Sequence, residues 1–237
     1  MKPFAYLNNW HIEQPATRFD RAIRDSGLPL VEFRTNVGEF PDTTDFSGVF
    51  VGASVAGAYD QEAWVARAHD SVRQLAHAQV PILGLCFGSQ LLASALMGHD
   101  QVFKRGSRNT GYSEVEFTEA AKSDPLTKDF PERVRTFHWH GDEIKADHPD
   151  MLILARNGDC GNQIWKWKHG PVWGIQPHPE MDRTQICQFL EKNRDWFLSE
   201  GKDVDALIAG AEENEQLGVI FDRFMKLVRG NQAASRT

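Results

Sequence analysis

A chain of 237 residues that is 41% hydrophobic and 25% charged is the size of one globular domain with ample core. Its formal net charge of -7, with no long run of Lys or Arg, argues against non-specific nucleic-acid binding. Three cysteines, Cys86, Cys160 and Cys187, without a Cys-x-x-Cys pair, point to a reducing compartment. No stretch approaches the roughly 20 apolar residues of a membrane helix, and the first residues have no basic segment leading into an apolar core, so the expected address is cytoplasmic.

Strand-like and helix-like patterns alternate. Phe4-Ala5-Tyr6-Leu7 reads as a strand, Phe19, Ala22 and Ile23 as a helix face closed by Gly27, and Leu30-Val31-Glu32-Phe33 as a second strand. After Val49-Phe50-Val51-Gly52, Asp60 is placed to cap a helix with Trp64, Val65, Ala68, Val72, Leu75 and Ala76 on one face. Val80-Pro81-Ile82-Leu83-Gly84-Leu85 reads as a buried strand. This order predicts an α/β fold: one open, mostly parallel sheet flanked by helices, with sites at the carboxyl ends of strands. Val102 to Glu119 reads as additional strands with polar turns. Trp165-Lys166-Trp167-Lys168-His169-Gly170-Pro171 reads as a hairpin leading into the Val172 strand rather than a nucleic-acid stacking surface. Helical spacing resumes through Ile186, Phe189, Leu190 and Phe197, then through Leu217, Ile220, Phe221, Phe224, Leu227 and Val228. Between them, Glu212-Glu213-Asn214-Glu215 reads as a solvated segment. One domain over 1–237 is expected, with a C-terminal helical extension over 183–229 and disorder over 230–237. The last apolar helix face fits a core, though an interface between copies would look the same in sequence.

Gly84-Leu85-Cys86-Phe87-Gly88-Ser89-Gln90 sets a cysteine between two glycines where a strand meets a helix start, marked by Leu91, Leu92, Ala95 and Leu96. The glycines allow a turn sharp enough to display the sulfur, as in a nucleophile elbow. The helix amino terminus favours a thiolate and lowers a thiol pKa that is about 8.5 in free cysteine. A cysteine alone is most often a small core residue, so the flanking pattern carries the reading. Far downstream, prolines at 177 and 179 hold Gln176-Pro177-His178-Pro179-Glu180 extended. Residues two apart then share a face, so Glu180 can orient His178 and leave its other ring nitrogen for Cys86. His138-Trp139-His140-Gly141-Asp142-Glu143 also opens like the metal site of metallo-β-lactamase-like hydrolases, but that pattern continues with histidine where this chain has Glu143. No metal or other cofactor is expected.

Together these segments resemble the class I (triad) glutamine amidotransferases, in their GMP-synthase-like branch, over most of the chain. The resemblance implies a flavodoxin-like amidotransferase fold and a catalytic set of Cys86, His178 and Glu180. Val49-Phe50-Val51-Gly52-Ala53-Ser54 looks like the family's oxyanion loop, which implies backbone N–H donors from Ala53 and Phe87. Phe137-His138-Trp139-His140-Gly141-Asp142 resembles the glutamine-pocket segment, which implies substrate contacts from Gly52, Gln90, Trp139, Gly141 and Asp142. Gln90 on its own would read as a helix-surface residue. Cys160-Gly161-Asn162-Gln163 sits where that branch often has a similar sequence. The chain departs from the family's paired glycines at Gly52-Ala53, where a methyl group would strain the loop only if the backbone needed positive φ.

The activity implied is hydrolysis of the γ-amide of glutamine, or of a γ-glutamyl compound, through a γ-glutamyl thioester. No ATP-binding Ser-Gly-Gly loop is present, so the chain is expected to be a stand-alone hydrolase or a glutaminase subunit delivering ammonia to a synthetase partner. A non-catalytic binding protein that kept the fold is the third reading, and homo-oligomers are compatible with all three.

Overall fold

The centre of the molecule is set by strands whose residues are buried on both faces, as expected where helices cover a sheet twice. A computed structural model describes residues 1–10 and 16–234. The strands are β1 (Phe4–Asn8), β2 (Leu30–Arg34), β3 (Gly48–Val51), β4 (Ile82–Leu85), β5 (Val102–Phe117), β6 (Arg133–Ile144), β7 (Met151–Arg156), β8 (Ile164–Trp167) and β9 (Val172–Ile175). The helices are α1 (Arg18–Ser26), α2 (Ala63–His77), α3 (Phe87–Met97), α4 (Arg183–Lys192), α5 (Arg194–Ser199), α6 (Val204–Ala209) and α7 (Glu215–Ala234). All nine strands form one sheet in the order β2-β1-β3-β4-β9-β8-β7-β5-β6.

The expected single α/β sheet is present, but it is mixed rather than mostly parallel. Pairings from β2 to β9 are parallel, whereas those from β9 to β6 are antiparallel. The change falls between β9 and β8, which are joined by the hairpin foreseen at Gly170-Pro171, and a hairpin connection enforces antiparallel pairing. The segment expected to be several decorative strands is one long strand, β5, with its register broken between Lys104 and Asn109. Polar and glycine residues in that bulge hide its continuity in the sequence.

Period-2 alternation then assigns the faces. Ala5, Leu7, Val49, Val51 and Ile82 pack with α2 and α3, and Phe4, Phe50, Leu83 and Leu85 pack with α1 and α7. Phe19 of α1 lies over Phe50 and meets Phe221 of α7. Burying such a side chain stabilises by about 1.5–3 kcal/mol. The Leu217 to Val228 face is therefore core. A third cluster packs Phe137 and Trp139 of β6 against Ile186, Leu190, Phe197 and Val204.

Local chemistry fixes the ends. Thr17 and Asp20 make a reciprocal capping box on α1, and Gly27 closes it with φ +67°. Asp60 is not the α2 cap: its carboxylate accepts from Gly57 N at 2.7 Å and closes a turn, while Glu62 takes the cap position. The helical pattern from Ile186 to Phe197 is broken at Asn193 into α4 and α5. Residues 230–234, expected to be disordered, continue α7 because the helix is already anchored by its buried face and Gly230 costs only about 1 kcal/mol in a helix. Residues 235–237 lie outside the described residues. Among the described residues no helix is long and apolar enough to cross a membrane.

Candidate active site

Cys86 follows β4 directly and precedes the first residue of α3, with φ +50° and ψ -107°. A non-glycine residue there is strained, typically by about 1–3 kcal/mol, so its surroundings must hold it. They do so through Cys86 N, which donates to Ile175 O of β9 at 2.7 Å, and through two glycines. A Cβ on Gly88 would lie 2.0 Å from Val51 O, and one on Gly84 would lie 2.6 Å from Gly88 O. The close approach foreseen at both glycines is thus what seats α3 against β3 and β4.

The end of β9 brings the histidine. His178 N donates to Phe137 O at 2.8 Å, fixing the Pro177-His178-Pro179 stretch to β6. Nδ1 of His178 meets Glu180 Oε1 at 2.8 Å and Nε2 meets Trp139 O at 3.1 Å. A carboxylate and a carbonyl oxygen only accept, so both contacts are hydrogen bonds when the ring carries both protons. Burial alone would lower the His178 pKa, but the negative charges of Glu180 and Cys86 outweigh it and raise it well above the ordinary value. Cys86 Sγ lies 3.8 Å from the same Trp139 carbonyl. The geometry therefore gathers the Cys86 sulfur and the His178 ring around one backbone oxygen, with the Glu180 carboxylate on the far side of the ring.

Beside Cys86, the Phe87 N–H is the first of α3 and has no acceptor within the helix. Ala53 is buried in the same apolar cluster as Leu85 and Cys86 and is not among the residues with positive φ, so its methyl group costs no backbone strain. Gly52 is held close to Tyr6: a Cβ there would lie 3.0 Å from the Tyr6 ring and hydroxyl. Of the residues implied to contact substrate, Gln90 is 3% exposed and not a surface residue. Its Nε2 donates to Asp142 O at 3.3 Å and to Gln176 Oε1 at 3.2 Å, tying α3 to β6 and β9. The Asp142 carboxylate accepts from Tyr59 OH at 2.9 Å, and burial raises its pKa. The guanidinium of Arg108 faces Gly141, where a Cβ would come within 3.0 Å of it. Trp139 contributes its carbonyl to the centre, and its buried ring lies beside that of His178 and packs with Trp10, Phe189 and Trp196, with Arg108 over it. Cys160 is buried in the turn between β7 and β8, its thiol pKa pushed up by burial. Among the described residues no group of three or more His, Cys, Asp or Glu side chains is placed to hold a metal ion.

Two polar residues at the site were not singled out in the sequence. Gln176 Nε2 lies 3.6 Å from Cys86 Sγ, and its only sequence signal is an amide ending an apolar strand. Asn214, expected in a solvated segment, is 1% exposed. Its Oδ1 accepts from Thr136 Oγ1 at 2.8 Å and Phe137 N at 3.4 Å, while its Nδ2 donates to His178 O at 2.7 Å and Met181 O at 3.3 Å. One side chain thus joins β6 to the His178 segment. Asn214→Ala strands several buried partners and is expected to cost about 2 kcal/mol of stability, read from denaturant unfolding. A variant as stable as the parent would contradict these ties.

His138 and His140 are buried on β6, and desolvation is the main cause that lowers their pKa to about 3 and about 4. Depressed histidine pKa values mean that below pH about 6.5 the unfolded chain binds protons the native state refuses, so stability falls as pH drops from about 6.5 towards 4. Replacing His138 with Gln should reduce that slope by about 1.4 kcal/mol per pH unit between pH of roughly 6 and 4.5. Equal slopes in unfolding series of parent and variant would show that His138 titrates normally.

The model of the glutamine amidotransferase class-I family matches residues 19–194. A glutamine-hydrolyzing GMP synthase subunit of Pyrococcus abyssi is 37% identical over 114 residues, covering 48% of this chain and 58% of that protein. The protein of the same description from Methanospirillum hungatei is 31% identical over 166 residues, 69% of this chain and 80% of that one. The chain thus spans little more than half the length of some curated relatives it matches and four fifths of another. Among solved structures, a glutamine amidotransferase from Thermotoga maritima superposes with a TM-score of 0.80 at 21% identity, covering 96% of this chain and 97% of that one. One from Methylobacillus flagellatus does so at 0.77 and 20% identity, covering 95% of each. At these identities the likeness speaks for the fold.

Proposed function

The chain belongs to the class I glutamine amidotransferase family, and on that premise we propose that it hydrolyses the γ-amide of glutamine, or of a γ-glutamyl compound, through a thioester on Cys86. The observation that carries this reading is the strained Cys86 at the start of α3 beside a His178 ring clamped between Glu180 and the Trp139 carbonyl. Cys86 thiolate attacks the side-chain carbonyl carbon, and the oxyanion is held by the N–H groups of Phe87 and Ala53. His178 gives its proton to the departing ammonia or amine as the C–N bond breaks. Water, deprotonated by the now neutral His178, then attacks the γ-glutamyl thioester and releases glutamate and the thiolate. Asp142 suits the α-ammonium group of the substrate, and Gly52, Gly141, Trp139 and Gln90 are assigned as its further neighbours.

The test is ammonia or amine release by the purified protein from glutamine and a panel of γ-glutamyl amides, with Cys86→Ala as control. Release that the substitution abolishes supports the reading, and release that survives it refutes the role of Cys86. A second form of the reading draws on the relatives, which are described as subunits of GMP synthase: a glutaminase component supplying ammonia to a separate synthetase. Labelling of Cys86 by a glutamine-like electrophile without turnover, followed by activation on adding a synthetase, would favour it.

A further inference from the structure

The Gly52–Ala53 peptide is pinned from one side. Asn9 is completely buried and donates from Nδ2 to Gly52 O at 2.7 Å. The Gly52 carbonyl only accepts, so it takes the NH₂ end of the amide, and Thr35 Oγ1, which lies 3.1 Å from Asn8 O, supports the Asn9 Oδ1 end at 2.6 Å. One peptide earlier, Gly52 N donates to Leu7 O of β1 at 3.0 Å, so both backbone polar groups of Gly52 are held by β1 and the residue that follows it. In the sheet, β3 lies between β1 and β4. Among the described residues no peptide bond is cis, and in a trans peptide the C=O and the following N–H point in opposite directions. The Gly52 carbonyl is held by Asn9, which follows β1, and the Ala53 N–H of the same trans peptide points the opposite way from that carbonyl.

We infer that Asn9 is a positioning residue for the reaction: it locks the Gly52–Ala53 peptide with its N–H aimed at the oxyanion site, with Thr35 supporting the other end of the Asn9 amide. The inference rests on the proposed amidohydrolase reading, since it assigns a role to Ala53 in that reaction. A loop able to turn over would present the Gly52 carbonyl instead, and an acceptor there repels an oxyanion. The lock supplies the donor from within this chain, before substrate binds.

Asn9→Asp keeps the shape and replaces the donating amide by an oxygen that only accepts, so it repels the Gly52 carbonyl. Thr35→Val removes the hydroxyl that supports Asn9 and is the milder second variant. Loss of one oxyanion donor costs on the order of 100-fold in kcat, and that loss, with KM nearly unchanged, is expected for Asn9→Asp, with a smaller loss in the same direction for Thr35→Val. Alkylation of Cys86 by iodoacetamide needs the thiolate but develops no oxyanion, so its rate should stay within twofold of the parent. If kcat remains within threefold of the parent, or if kcat and alkylation fall together as in general damage to the site, the inference is overturned. A parent protein that hydrolyses no γ-glutamyl substrate overturns the amidohydrolase reading and the inference with it.

Discussion

Replacing Glu180 with glutamine is expected to lower turnover by on the order of 10,000-fold while leaving the fold intact, as loss of the orienting carboxylate does in other nucleophile–histidine–acid systems. Two physical effects combine. Glu180 Oε1 accepts from His178 Nδ1 at 2.8 Å, and glutamine can offer an NH₂ group there instead, which would force the ring proton onto Nε2. The substitution also removes the charge that raises the His178 pKa against its burial. The raised pKa means that the His178 ion pair contributes stability present in full below pH about 6.5 and lost as pH rises through the folded-state value. In the variant the histidine would titrate lower, moving the limb of the pH–rate profile that belongs to it towards acid. Steady-state rates across pH check both effects, and a variant within tenfold of the parent would remove Glu180 from the mechanism.

Gly88→Ala is the second large effect, and it acts through the backbone. The added methyl group would sit 2.0 Å from Val51 O and 3.1 Å from Gly52 O, and a strand carbonyl has no free rotation with which to escape. Either α3 lifts off β3 or β3 shifts. Overpacking of this kind costs about 3 kcal/mol, and either movement displaces the Cys86 turn relative to Ala53. The expected result is a lower unfolding midpoint together with a loss of turnover on the order of 100-fold or more. Gly106→Ser is the natural control, since a Cβ at that glycine would meet nothing within 4 Å, and it should change neither.

The parts of the site legible in sequence are those carried by local pattern. Gly84 and Gly88 announce a close approach, and prolines at 177 and 179 announce an extended stretch that sets His178 and Glu180 on one side. These need only the neighbouring few residues to be understood. Asn9, Gln176 and Asn214 each sit at the end of an element or in a connection, where a lone amide usually means solvent. What makes them internal is tertiary closure: Asn214 meets Thr136, some 78 positions away in sequence, and Asn9 meets Gly52 across 43. The parallel half of the sheet was legible because its helices and strands keep clean periods. Of the antiparallel half the hairpin into β9 was legible and β5 was not, because the bulge between Lys104 and Asn109 interrupts its alternation with charged and small residues. The Trp139 carbonyl, which both His178 and Cys86 face, belongs to the main chain and leaves no trace in residue type.

The most direct test of the account is to quench the parent protein in acid during turnover of glutamine and locate the γ-glutamyl adduct by peptide mass spectrometry. The account predicts an adduct on the peptide carrying Cys86, sensitive to hydroxylamine as a thioester is, and its accumulation when the His178-assisted attack of water is slowed. Turnover with no adduct at Cys86, or with the adduct on another side chain, would contradict it.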